Sequence, residues 1–297
     1  MRKSRPGCVA LAMVLASAAR IGALPQASSE LTLSTHSRAI QPGEVVRLDV
    51  KCACTPSQRP GTARAFGREI PLVWLANAAA WSGLIGIDLE TDVGAYPIDV
   101  VVESVDARVL SATYTLNVIP KRFPTRRLRV APVYVDPPPA ERRRIAADAE
   151  RLNVLFEKTT GRDHLGPFQA PVDVRPRDTF GARSIFNGQP RSPHSGADFG
   201  TPKGTPVAAP AAGVIVLADD LFFTGLTVVL DHGIGLYSVL AHLSTMSVTA
   251  GDAVNRGDLV GEVGATGRTT GPHLHWSTRL NGARVDPMSL IEVLAMR

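Results

Sequence analysis

A chain of 297 residues, 44 % hydrophobic and 20 % charged, has the composition of an ordinary globular protein and the length for two domains, each able to bury a core. Its formal charge of +5 is unevenly placed: Arg2, Lys3, Arg5 and Arg20 fall in the first 23 residues, which hold no acid, and the remainder carries a surplus of only +1. That excludes the basic stripe with which proteins grip nucleic acid.

Residues 1–23 are ordered like an export signal. Three cations start the chain, a short apolar run follows over 8–16, and Ala16-Ser17-Ala18 and Ile21-Gly22-Ala23 are small-residue cleavage sites. The run is too short to span a bilayer, and no other stretch approaches that length. The protein is therefore expected to be periplasmic or secreted, with no stable membrane insertion once the signal is cleaved. Cys8 stands at the start of the apolar run rather than after it, which is the wrong side for a lipid-bearing cysteine. Cys52 and Cys54 remain. In a non-reducing compartment they can pair with each other or with a partner; otherwise they are two small hydrophobes on one strand face.

Over 24–120 the pattern is strand and turn. Val45-Val46-Arg47-Leu48-Asp49-Val50 alternates after the turn Gln41-Pro42-Gly43-Glu44, and 96–102 and 112–118 are further strands. Short strands at this spacing predict an immunoglobulin-like β-sandwich. The region holds His36 but no cluster of catalytic residue types, so packing, targeting or covering is its expected work.

Residues 121–164 read as a proline-rich linker and a helix. Pro137-Pro138-Pro139 stops the preceding structure and opens a helix over 140–158, whose Ile145, Ala149, Leu152 and Phe156 recur at spacings of four, three and four. A packed helix bridging the domains is predicted.

From 165 to 297 valine, glycine and short loops predominate. Strands are predicted at 214–217, 227–230, 237–240 and 259–263, with Asp231-His232-Gly233-Ile234-Gly235 as a hairpin loop. This gives a mainly β chain ending in an antiparallel-sheet domain. His232 is read as a turn residue, and His164, which has no partner at useful spacing, as structural.

The four other histidines are spaced for chemistry. His273 and His275 are two apart, so a strand points both to one face. His194 and Asp198 are four apart and can supply two ligands from one short segment, while His242 lies between the two groups. A catalytic zinc takes three protein ligands and keeps a fourth position open. His194 and Asp198 offer two, and His275 or His273 is available as the third. Two imidazoles and one carboxylate leave such a site with a net charge of +1, which keeps the ion a strong Lewis acid. The remaining two histidines then suit proton transfer or stabilisation of an oxyanion. There is no His-Glu-x-x-His helix motif, Gly-x-Ser-x-Gly elbow or phosphate-binding loop.

The segments His194-Ser195-Gly196-Ala197-Asp198, Leu240-Ala241-His242-Leu243-Ser244 and Gly271-Pro272-His273-Leu274-His275-Trp276 resemble the lysostaphin-type, or LytM-domain, zinc metallopeptidases. The similarity extends through 204–210, Gly264-Ala265-Thr266-Gly267 and Val285-Asp286-Pro287. It implies one zinc per chain with His194, Asp198 and His275 as ligands, and His242 and His273 as catalytic histidines. It also implies a peptidoglycan endopeptidase acting on stem peptides, at the D-alanyl–meso-diaminopimelate bond if the wall is of Gram-negative type, with any recruiting cell-wall protein unspecified. The first half is similar to that of exported Gram-negative members, which carry a sandwich domain ahead of the peptidase. Leu240 stands where many relatives have tyrosine, and Tyr237 is a candidate substitute. The alternative is a non-catalytic LytM-like regulator that activates a cell-wall amidase; such domains lack zinc ligands, whereas all five polar positions are present here. The sandwich is a candidate cover for the peptidase groove.

Overall fold

The computed structural model describes residues 30–57, 59–161, 166–177 and 179–296. The export signal and His164 lie outside the described residues. Strands β1 (Leu31–His36), β2 (Val45–Cys52), β3 (Gly61–Ala65), β4 (Arg68–Leu75), β5 (Ala80–Gly86), β6 (Gly94–Glu103) and β7 (Val109–Val118) pair antiparallel in the order β1-β2-β5-β4-β3-β6-β7. Strand β4 joins two sheets: Arg68 to Leu72 pair with β3, while Val73 to Leu75 pair with β5. The sheets face each other as a sandwich over a core that includes Leu48, Leu72, Trp81, Ile85, Ile98 and Leu116. Strict alternation supplies that core, since Val46, Leu48 and Val50 face inward while Arg47, Asp49 and Lys51 face outward. Cys52 and Cys54 are joined in a disulfide, which settles the alternatives left open by the sequence.

The proline-rich stretch is more structured than its composition suggests. It forms β8 (Thr125–Leu128), a 3₁₀ turn at Pro132–Tyr134 and helix α1 (Pro139–Phe156). β8 lies parallel to β9 (Arg183–Phe186), which also pairs with β10 (Gln189–Arg191). α1 does not bridge two domains as expected. Leu152, Leu155 and Phe156 cover a patch formed by Leu217, Leu221, Val229, Tyr237 and Val239 on the C-terminal sheet. Asp148 accepts from the Phe222 amide, and Arg144 and Arg151 pair with Asp220 and Asp219. Ala149 is exposed, so only part of the predicted stripe is used.

The remaining strands are β11 (Gly196–Phe199), β12 (Pro206–Ala208), β13 (Gly213–Leu221), β14 (Gly225–Gly233), β15 (Leu236–Met246), β16 (Ala253–Val254), β17 (Leu259–Val263), β18 (Leu274–Leu280) and β19 (Ala283–Val285), followed by α2 (Pro287–Ala295). They form a nine-stranded antiparallel sheet with the backbone order β11-β18-β15-β14-β13-β16. The chain is mainly β, as the sequence predicts, and among the described residues no helix is long and apolar enough to cross a membrane.

Sandwich and sheet share a core. Val45 and Leu84, both from the sandwich, are buried in the cluster that contains Phe199, Trp276, Val285 and Leu290. A Cβ on Gly86 would meet Ala283 at 2.9 Å and Val285 at 3.0 Å, so only glycine lets the two backbones approach here. The Val45 amide donates to Ser289 Oγ, and the Asp286 amide donates to the Gly43 carbonyl. Arg284 binds Asp88 and Glu90, while Arg38 joins buried Glu44 to Asp286, the N-cap of α2.

Candidate metal centre and groove

Register builds the centre. Strand β18 runs between β11 and β15, so His275 sits directly opposite Asp198 on one side and Ala241 on the other. His194 precedes β11, and His273 precedes β18, bridged to Gly264. The Asp198 Oδ1, His194 Nε2 and His275 Nδ1 atoms form a nearly equilateral triangle, with sides of 2.9, 2.9 and 3.0 Å. Gly196 makes room for it: a Cβ there would lie 2.7 Å from His275 Cε1 and 2.6 Å from the Trp276 carbonyl.

His242 reaches this face through a bulge. Ala241 and His242 together oppose Thr227, because Leu240 pairs with Val228 and Leu243 with Leu226. His242 has φ of +62°, a left-handed conformation that costs an ordinary residue about 1–2 kcal/mol and is held by its amide donating to Thr224. The bulge leaves Leu240 in the core while His242 lines the groove.

Backbone carbonyls set the tautomers of three imidazoles. His194 Nδ1 faces the Thr179 carbonyl at 2.9 Å, His242 Nδ1 that of Thr266 at 2.8 Å, and His273 Nδ1 that of Gly271 at 2.8 Å. A carbonyl only accepts, so each Nδ1 carries the proton and each Nε2 keeps its lone pair. His273 Nε2 lies 3.8 Å from Asp198 Oδ1, and the rings of His242 and His273 are 4.8 Å apart. Burial, then the neighbouring His275 and His273, lower the His242 pKa to about 3, so it is neutral at pH 7. Burial opposes ionisation of Asp198, but the adjoining His194 and His275 imidazoles outweigh it and hold the carboxyl well below its usual range.

The donor set fits a metal. Ligands about 2.0–2.1 Å from a tetrahedral zinc stand roughly 3.3 Å from one another, a few tenths of an ångström beyond the triangle seen here. Two imidazoles and a carboxylate held in one triangle are a donor set that could hold a metal ion, of the kind that gives zinc three protein ligands and one open position.

All five polar residues singled out from the sequence line one groove, and so do Thr269 and Thr270. Asn187 lies outside it, with both ends of its side-chain amide bonded to Val130. His232 is a buried structural residue on β14, bonded to Ala212 and Ser238. Tyr237 does not replace the missing tyrosine, because it packs on Phe156 across the sheet and donates to the Lys158 carbonyl. No described residue of the sandwich lines the groove, so the candidate cover is not formed in this arrangement.

Sequence reading missed Arg126 on β8. It donates to Asp198 Oδ2 at 3.2 Å and to Ser184 Oγ at 3.0 Å, fixing the carboxylate from the side away from the histidines. It also missed the aromatic rim formed by Phe186 and Phe223 around Arg268. The alternating Thr125-Arg126-Arg127-Leu128 was the available signal, but four residues between prolines are too few to establish a period.

An antiparallel sheet carrying these histidine motifs in one groove is the arrangement of a LytM-type peptidase domain. The family description "Peptidase family M23" matches residues 192–287. A crystal structure of a putative M23 peptidase from Pseudomonas aeruginosa superposes with a TM-score of 0.65 at 31 % identity, covering 86 % of this chain and 96 % of that one. The chain belongs to peptidase family M23. Over 97 residues it is 44 % identical to the DD-carboxypeptidase/endopeptidase Mpg of Neisseria meningitidis, covering 33 % of this chain and 22 % of that protein. Over 121 residues it is 41 % identical to the peptidoglycan DD-endopeptidase ShyA of Vibrio cholerae, covering 40 % and 28 %. The similarity to these curated relatives thus spans between a fifth and a third of their length.

Proposed function

We propose that this protein is an exported zinc endopeptidase that hydrolyses peptide cross-links in peptidoglycan, at the bond joining D-alanine to meso-diaminopimelate. The observation that carries the proposal is the triangle of His194 Nε2, Asp198 Oδ1 and His275 Nδ1 with His242 and His273 beside it. His194, Asp198 and His275 are the ligands in this reading. When bound, zinc supplies Lewis acidity that polarises a carbonyl and acidifies water. Relatives named as peptidoglycan DD-endopeptidases support the substrate class. The Cys52–Cys54 disulfide suits an oxidising compartment, in line with the export signal expected at 1–23.

The chain's own residues account for the proton traffic. His242 and His273 each turn a bare Nε2 toward the groove, so neither can donate there until it has first accepted a proton. Their rings are too close for both to become cations cheaply, and they work as one base holding one proton. The Thr266 carbonyl, bonded to Nδ1–H, stabilises His242 as its Nε2 is protonated. The same Nε2–H is then the donor to the departing amine. Arg126 keeps the Asp198 carboxylate oriented throughout.

The regulator alternative has no support in the site, since each of the five positions keeps its polar side chain. Digestion of purified cross-linked muropeptides, followed by mass analysis, tests the proposal. The wild type releases monomers, whereas His273→Ala retains its metal and is slowed about 10²- to 10⁴-fold. Equal product yields from the two proteins would refute the catalytic reading.

A further inference from the structure

Arg268 occupies an unusual position on the groove. Its amide donates to the Phe223 carbonyl, and its guanidinium lies against two rings, 4.5 Å from the Phe223 centroid and 4.7 Å from that of Phe186. Cation–π contact with the two rings restrains the guanidinium without using its N–H donors, which stay available to a planar anion. No acid or carbonyl among the described residues takes those donors. Asp198 is the one carboxylate on the groove wall, and it is engaged by His194, His275 and Arg126. The neighbouring cations are not in the same situation, since Arg126 is paired and Arg191 donates to the Val135 carbonyl and to Gln189. Arg177 also lines the groove, but it is exposed and solvated.

A partly buried cation without a counter-charge is a cost that folding usually avoids. Burial first, then Arg191 and Arg126, lower the Arg268 pKa from 12.5 to about 10. It stays charged at pH 7 and gains from any anion that enters.

The proposed substrate brings one. In a D-alanyl–meso-diaminopimelate cross-link, the carbon attached to the scissile nitrogen also bears a free carboxylate. In a glycyl–glycine bridge the same carbon leads to another neutral amide. Arg268 lines the same groove as His242 and His273, the groove that the scissile peptide enters in this reading. We propose that Arg268 binds the carboxylate next to the scissile bond and thereby selects diaminopimelate cross-links over glycine bridges. This rests on the function proposed above, and it assigns the choice of bond to a residue outside the five-residue centre.

The test compares a cross-linked muropeptide dimer with the same dimer in which only that carboxylate is a carboxamide, using full-length wild type, Arg268→Met and Arg268→Lys. Metal content and thermal melting report on folding. For the wild type, amidation should lower kcat/KM roughly 10- to 100-fold, the value of a hydrogen-bonded charge. Arg268→Met should lose as much on the free acid and cease to distinguish the two substrates, while Arg268→Lys keeps part of the preference. If Arg268→Met fails to fold, the wild-type comparison and Arg268→Lys decide. A wild type indifferent to amidation, or a Met variant that still discriminates fully, overturns the assignment. A folded, metal-loaded wild type that cuts neither substrate overturns the functional proposal itself, and this one with it.

Discussion

Leu84→Ala tests whether sandwich and peptidase sheet are one folding unit. Leu84 lies on β5 of the sandwich, yet its side chain is 1 % exposed within the core of the C-terminal sheet. Truncating a buried leucine to alanine costs about 2–5 kcal/mol, less where neighbours can collapse into the space. Collapse is restricted here, because two residues away Gly86 already brings its backbone against Ala283 and Val285. The lower end of the range is thereby excluded, and about 3–4 kcal/mol is expected. At about 2–4 °C per kcal/mol for a chain of this size, a single shared transition moves down by roughly 6–16 °C. Differential scanning calorimetry, with far-UV circular dichroism as a second probe, measures it. Two separate transitions of which only one shifts, or a displacement under about 2 °C, would refute the shared core as an energetic link.

Two further outcomes follow from single positions. Gly196→Ala places a methyl group against the His275 ring and the Trp276 carbonyl, so metal retention against a chelator should weaken tenfold or more; retention equal to wild type would mean that the ring has room to move. Asp88 is also informative: burial favours its neutral form, but hydrogen bonds from Arg284 and Glu90 outweigh this and lower its pKa from 3.8 to about 2. The stabilisation is complete above the ordinary value and is lost as pH falls through about 2, with a size of about 1–2 kcal/mol. Asp88→Asn should therefore melt a few degrees below wild type at pH 7, with the two curves meeting near pH 2; a constant gap across that range would assign the loss to something other than charge.

The chemistry of the centre was legible because it is written in side chains at strand spacing. His273 and His275 two apart, and His194 and Asp198 four apart, need only an antiparallel register to meet, and the alternating valines predict the strands that provide it. Backbone contributions have no such signature. The carbonyls of Thr179, Thr266 and Gly271 fix which imidazole nitrogen is bare, and any residue type presents a carbonyl. The bulge at Ala241–His242 is equally silent, since counting by two puts His242 on the face of Leu240. Arg126 was hidden by context, being on a four-residue strand inside a stretch whose prolines read as linker. Nor does composition disclose a shared core: Val45 and Leu84 look like any other inward positions of a sandwich.

Strand β8 also bears on the order in which the chain can become active. Arg126 meets Asp198 across 72 positions, and Asp198 meets His275 across a further 77. Each contact closes a long loop, and the later one requires β18, close to the end of the sequence. A chain emerging from its amino end can pair its sandwich strands early, but the groove has no His273, no His275 and no partner for β11 until β18 arrives. Under the proposed function, activity therefore waits on the pairing of β18, and a chain that stops short of it would be inert.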